Sequence, residues 1–198
     1  MLIVPFGEVM FADGYVLGGA ENTPDIAFGD APAPMFEDPP KCWLHRQASF
    51  INSFFPEDAE AGVDYDWFAL PPIDQEGILY AGELTVVGKN ANRPEVVDFL
   101  NRFIAENVQC EMAKVPASAR VSPNVAVGKD CYANEILADA STVLTDALKN
   151  DTGRFDASDQ MPSQVGSGSF WTGMVRYIRE GPGSLDAVLK QIEDSWPS

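Results

Sequence analysis

Residues 154–178 read RFDASDQMPSQVGSGSFWTGMVRYI, and this stretch decides how the chain is understood. Its first part is polar and rich in turn formers. A glycine-rich turn follows, and the apolar spacing beyond it predicts a helix around 164–179, with Phe170 and Trp171 at its start. Aromatic rings set beside Asp, Gln and Ser side chains suit one kind of ligand in particular. Sugars present apolar C–H faces and a rim of hydroxyls. A ring stacks on the face, while Asp, Glu, Arg, Gln and His hold the hydroxyls through charge-assisted hydrogen bonds. A single tryptophan is more often core than site, so the clustering of ring and polar group carries the reading. The same clustering recurs in CWLHRQASF, residues 42–50, where Trp43, His45, Arg46, Gln47 and Phe50 stand together.

Outward from this stretch, helices are the clearest signal. Ser184 is placed to cap a short helix whose Leu185, Val188, Leu189 and Ile192 share one face, closed by Trp196-Pro197. Upstream, Ile136, Leu137, Ala140, Val143, Leu144, Ala147 and Leu148 recur at helical spacing. Another helix is expected after Asn92, with Glu95 completing a capping box and Val96, Val97, Leu100, Phe103 and Ile104 on its apolar face. Residues 111–131 read as a loop-rich return with a turn at Ser122-Pro123-Asn124. Two strands are expected, DYDWFALPP (64–72) and ILYAGELTVVG (78–88), the second interrupted by Gly82 at a bulge or a close backbone approach. CWLHRQASFINSFF (42–55) reads as a strand end entering a short helix that Pro56 stops. Residues 1–41 are rich in Gly, Pro and Asp and read as irregular chain. Strands alternating with helices indicate an α/β class, with too few strands for a free-standing doubly wound domain.

Composition narrows the function. Thirteen basic residues stand against 30 acidic ones, a net charge of -17. Such a surface repels phosphate backbones, which removes nucleic acid and anionic membrane as partners. No apolar run is long enough to span a bilayer. The opening MLIVPFGEVMF lacks the basic n-region and small-residue cleavage site of an export signal. Three cysteines, Cys42, Cys110 and Cys131, have no metal-binding or CxxC spacing, and the odd count leaves at least one unpaired. Whether the other two bridge is open at this level.

Catalytic signatures are lacking: no GxGxxG before a helix, no phosphate-binding loop, no HExxH and no GxSxG. His45 is the lone histidine, flanked by Leu44 and Arg46, a setting more usual for a structural hydrogen-bonder than for a base. Acidic pairs such as Asp156 with Asp159 keep a glycosidase in play on composition alone, with no separation between carboxylates defined. No cofactor or metal is expected.

DPPKCWLHRQASFI (38–51), DYDWFALPPID (64–74), AGELTVV (81–87), RFDASDQMPSQVGSGSFWTGMVRYI and the closing DSWP (194–197) occur in an order and spacing that resemble the family 1 extracellular solute-binding proteins of ABC sugar importers. The resemblance is to their C-terminal half, in the α-glucoside-type branch, which is distantly similar to maltose-binding protein. It runs over nearly the whole chain, and FDASDxMP followed by G-x-FW is its most specific part.

The resemblance implies the C-terminal half of a two-lobed, periplasmic-binding-protein-like (type II) α/β fold. Residues 1–62 would belong to the C-terminal lobe and hinge, 63–115 to the N-terminal lobe as a separate strand-strand-helix piece, and 116–198 to the C-terminal lobe again. Trp171 matches the position where this family stacks an aromatic on the sugar, with Phe170 beside it. His45, Arg46, Gln47 and Phe50 would line the cleft near the hinge, Gly82 and Glu83 would point into it, and Asp159 would join them. The implied function is ligand binding without chemistry: a saccharide, an α-glucoside or related oligosaccharide, is delivered to the membrane permease subunits of the importer. The implied protein is extracytoplasmic, periplasmic or anchored as a cell-surface lipoprotein, and monomeric when full length. Its export signal, lipid-bearing cysteine and first half are expected to lie outside this chain. KVPASARVSPN (114–124) departs from the family's glycine-rich turn, and Cys110 and Cys131 match no family role. A fragment of a carbohydrate-active hydrolase and a truncated, non-functional reading frame are the alternatives.

Overall fold

The computed structural model describes residues 3–72 and 75–197; Ile73 and Asp74, which close the DYDWFALPPID stretch, lie outside the described residues, as do Met1, Leu2 and Ser198. In chain order the elements are α1 (Ile3–Met10), β1 (Ile78–Tyr80), α2 (Pro94–Phe103), α3 (Glu106–Ala113), α4 (Glu135–Lys149), β2 (Gly153–Phe155), α5 (Ala157–Gln160), a π-helix (Gln164–Phe170), α6 (Trp171–Glu180) and α7 (Leu185–Asp194), joined by turns and short 3-10 helices. The architecture is mixed α/β and rich in helix. Packing divides the chain into two compact units, Met1–His45 with Asp156–Ser198, and Arg46–Phe155.

The first unit is built on Val165, Tyr177, Val188 and Ile192, with Phe11, Met161, Phe170, Met174 and Leu185 packed around them. Helices α6 and α7 come close because Gly173 carries no side chain: a Cβ there would lie 3.1 Å from both Val188 and Ile192 methyl carbons. Burying Val188 completely contributes on the order of 1.5–3 kcal/mol. The expected face of α7 is the buried one. Ser184 precedes that helix, but its hydroxyl donates to the Gly181 carbonyl (2.8 Å) instead of capping.

The stretch 1–41 departs from the irregular chain expected of it, because α1 forms at its start. Pro5 and Gly7 look like breakers, yet Pro5 falls among the first residues of a helix, whose N–H groups have no partner within it. Gly7 lets the helix lie against Tyr177, whose hydroxyl would be 2.3 Å from a Cβ at that position. Phe11 then meets the Tyr177 ring edge-on at 5.2 Å. At the end of this unit's first segment, His45 is half-buried and its Nε2 is buried without a hydrogen-bond partner. Desolvation pushes its imidazole below the ordinary value of 6.5.

In the second unit, a disulfide joins Cys110 of α3 to Cys131 beside the start of α4, leaving Cys42 as the free thiol. Around it pack Ala113, Val127, Tyr132, Leu137 and Ala138. The turn at Ser122-Pro123-Asn124 is knitted into this core. Asn124 donates to the Ile104 carbonyl (2.8 Å), and the Ser122 hydroxyl donates to Gln109 Oε1 (3.2 Å). Buried Gln109 donates in turn to the Phe103 carbonyl (2.8 Å), so a polar group inside the core is satisfied. Helix α4 begins where Asn134 accepts from the Leu137 amide (2.9 Å), a side-chain cap.

The strands differ most from expectation. β1 and β2 pair in parallel, Ile78 opposite Gly153 and Tyr80 opposite Phe155, with the two rings edge-to-face at 5.5 Å. Residues 81–88 take no strand structure, and Gly82 is neither a bulge nor a close approach, since open space surrounds it. Residues 66–72 are likewise irregular, and 42–48 hold no strand end before the 3-10 helix Ser49–Phe54. An apolar run becomes a strand only when another strand accepts its hydrogen bonds. Leu84 and Val86 remain 79% and 83% exposed, so these runs have no such partner among the described residues. The 63–115 stretch therefore holds one strand and two helices, tied through β1 to β2. Helix α2 starts at Pro94 with Arg93 before it, so Asn92 is not its cap, and its apolar face is only half-buried.

Two measurements check this description. Replacing Cys110 and Cys131 together by alanine removes a cross-link over 21 residues and should cost about 3 kcal/mol in urea unfolding, with reductant doing the same to the wild type; an unchanged midpoint would contradict the bridge. For His45, the unfolded chain takes up a proton near pH 6.5 while the folded one resists it, so its contribution is complete above that pH and lost as pH falls through the folded value. The melting temperature of the wild type should thus fall more steeply below pH 6.5 than that of His45→Asn; equal slopes would contradict burial of the imidazole.

Candidate functional site

The segment that carries Trp171 is the best-defined candidate. Asp156 caps α5, accepting from both the amide (2.9 Å) and the hydroxyl (2.7 Å) of Ser158. Asp159, on α5, is exposed. The chain then turns through Pro162, whose carbonyl accepts from the amides of Val165 (2.7 Å) and Gly166 (2.9 Å), and enters the π-helix. The expected single helix over 164–179 is thus two elements, the π-helix and α6. Phe170 ends the first and packs on the unit's core, and Trp171 begins the second with 66% of its surface exposed. An indole so exposed has apolar ring surface available to a ligand. Thr172, next along the chain, is an exposed polar neighbour.

The remaining sequence-derived candidates fall in both units. His45 belongs with Asp159, Phe170 and Trp171 in the first unit, whereas Arg46, Gln47, Phe50, Gly82 and Glu83 belong to the second. Arg46, Gln47, Gly82 and Glu83 are exposed, and Phe50 is 44% exposed. The Gln47 side chain accepts from the Ala48 amide (2.9 Å), which turns it back on its own backbone. His45, neutral at ordinary pH and with an unpartnered nitrogen, is suited to accepting or donating a single hydrogen bond. Asp156 is committed to its cap. Among the described residues no three His, Cys, Asp or Glu side chains are grouped to hold a metal ion, and no helix is long and apolar enough to cross a membrane. A cleft of about 360 Å³ in the first unit lies between α1 and Tyr177 and includes none of the candidates.

Two features went unread in the sequence. The bridge between Cys110 and Cys131 has no spacing signature; partly buried Cys110 packs against the cluster that holds Cys131 and Leu137. The π-turn is hidden as well, although its excess of small residues, Gly166, Ser167, Gly168 and Ser169, was a signal of close backbone packing.

No family model matches the chain, and no solved structure matches it. Two curated proteins do. It is 38% identical over 199 residues to the alpha-glucosides-binding periplasmic protein AglE of Rhizobium meliloti, covering 98% of this chain and 41% of that protein. It is 36% identical over 195 residues to the osmoprotective compounds-binding protein GgtB of Synechocystis, covering 97% of this chain and 44% of that protein. The chain spans about two-fifths of the length of these relatives, and both are binding proteins rather than enzymes. Over nearly its whole length the chain is similar to the C-terminal portions of these two ABC solute-binding proteins.

Proposed function

We propose that this chain serves in the substrate-binding component of an ABC importer for a saccharide, an α-glucoside or a related oligosaccharide. The observation that carries the reading is the exposed indole of Trp171, at the start of a helix that, with the π-helix before it, is anchored on the core through Val165, Gly173 and Tyr177. An exposed tryptophan on a rigid support is what ring stacking requires, and the surrounding candidates supply hydrogen-bonding groups of the kind a sugar's hydroxyls need. The alpha-glucosides named for the Rhizobium meliloti relative support the ligand class. The osmoprotective compounds named for the Synechocystis relative favour a second ligand class, small compatible solutes, on the same surface.

The mechanism is binding without bond chemistry. In the intact protein, 1–62 and 116–198 would form most of the C-terminal lobe and 63–115 would contribute to the N-terminal lobe. Trp171, Asp159 and His45, with Arg46, Gln47, Phe50, Gly82 and Glu83, would meet the ligand, while Phe170 anchors the segment on the core. Closure on the sugar shifts the population toward the form that docks on the membrane permease, and the ligand supplies the difference in free energy by touching both lobes. The protein acts outside the cytoplasm, in the periplasm or as a surface lipoprotein, and as a monomer. The Cys110–Cys131 bridge supports that compartment, because disulfides persist where the surroundings are oxidising.

The test is Trp171→Ala, assayed by titration with maltose, trehalose and sucrose and by thermal unfolding. Affinity should fall by about 1–3 kcal/mol, roughly 5- to 150-fold, while stability changes by about 0.5 kcal/mol or less. Unchanged affinity with a loss of about 3–5 kcal/mol of stability, the cost of truncating a core aromatic, would overturn the reading.

A further inference from the structure

The register of the π-helix explains why Trp171 faces water. The core face of α6 runs through Gly173, Met174 and Tyr177, and Phe170 continues it by one turn. Val165, fully buried, must meet the same core. In an unbroken α-helix, Val165 would share its face with residues 168, 169 and 172, one position out of step with that set. A π-turn closes over one extra residue, from i to i+5, and brings Val165 and Phe170 onto one face. The turn thereby leaves Trp171 on the solvent side of α6, beside exposed Thr172. Without that extra residue, either Val165 or Phe170 would leave the core, and the following helix would rotate by about 100°.

Gly166 makes the turn possible. A Cβ at this position would lie 2.2 Å from the Ser158 carbonyl oxygen and 3.3 Å from the Met161 Cβ. The first of these is backbone, which has no rotamer by which to give way. The π-helix is therefore packed directly on the main chain of α5, the element that bears Asp159. Both ends of the turn are tied to the residue after α7. Gln164 donates to the Ser195 carbonyl (2.9 Å), and the hydroxyls of Ser169 and Ser195 share a hydrogen bond (2.5 Å).

We propose that Gly166 is a positioning residue of the ligand site, with Ser195 as its latch: the side-chain-free contact with α5 holds the seven-residue π-helix that presents the Trp171 indole. This rests on the reading of Trp171 as a ligand-stacking residue, but its geometric half stands without any ligand. Gly166→Ala should force the turn away from α5, rotate the start of α6 and withdraw the indole. Ser195→Ala acts more gently by removing the hydroxyl that holds Ser169.

The experiment uses the full chain with Trp43, Trp67 and Trp196 replaced by phenylalanine, so that Trp171 alone fluoresces. Acrylamide quenching should fall at least twofold in Gly166→Ala and measurably in Ser195→Ala, which also covers failure of the glycine variant to fold. Titration with maltose should show at least tenfold weaker binding in Gly166→Ala, and fluorescence-detected unfolding should remain cooperative. A purely structural role would lower the melting temperature of both variants and leave quenching and affinity of the folded protein unchanged, and that result overturns the proposal. Trp171→Ala, in the chain with its other tryptophans intact, separates the two claims. If that variant keeps wild-type affinity for maltose, the ligand reading fails. If it loses affinity while Gly166→Ala and Ser195→Ala keep it, the positioning claim fails.

Discussion

Val165, Tyr177, Val188 and Ile192 close one apolar cluster, and Phe11, Met161, Phe170, Met174 and Leu185 pack on it, so that the segment carrying Trp171 is placed by it. Three elements reach this cluster with no regular pattern common to them: a π-turn, α6 and α7. The mismatch is absorbed at glycines. Gly173 lets α7 approach α6, Gly7 lets α1 lie on Tyr177, and Gly166 lets the turn sit on the backbone of α5. Each removes a methyl that would have to be accommodated by backbone or by a fully buried side chain, where rearrangement is costly. The indole is exposed because the chain around it is not free to turn it inward.

The charge of the protein plays a different part. Lys and Arg pair chiefly with acids three or four residues away on the same exposed helix face, as Arg102 does with Asp98 and Lys190 with Asp194. Such pairs contribute a few tenths of a kcal/mol each and do not organise the fold. The excess of acid leaves the protein with a net charge of -17.

How much of this was legible in the sequence depends on where the information resides. Helices α4 and α7 could be read because Leu137 and Ala147, or Val188 and Ile192, repeat at a spacing that one segment alone determines. Strands could not, because Leu84 and Val86 look like strand residues whether or not a partner accepts their hydrogen bonds. Helix α1 was hidden by Pro5 and Gly7, which signal a break in isolation, although Gly7 serves as a fitting residue against Tyr177. The aromatic pair Phe170-Trp171 could be singled out from composition, but the assignment of one ring to the core and the next to water is a matter of register. That register is set by a carbonyl at Ser158, which no pattern in the sequence announces.

The central claim is that Trp171 is offered to a sugar. It is tested most directly by the indole N–H resonances of the four tryptophans in the 15N-labelled chain during addition of maltose to tens of millimolar. The account predicts a saturable shift of the Trp171 resonance while those of Trp67 and Trp196 stay in place. A Trp171 resonance that does not move, or the appearance of free glucose in the sample, would contradict it.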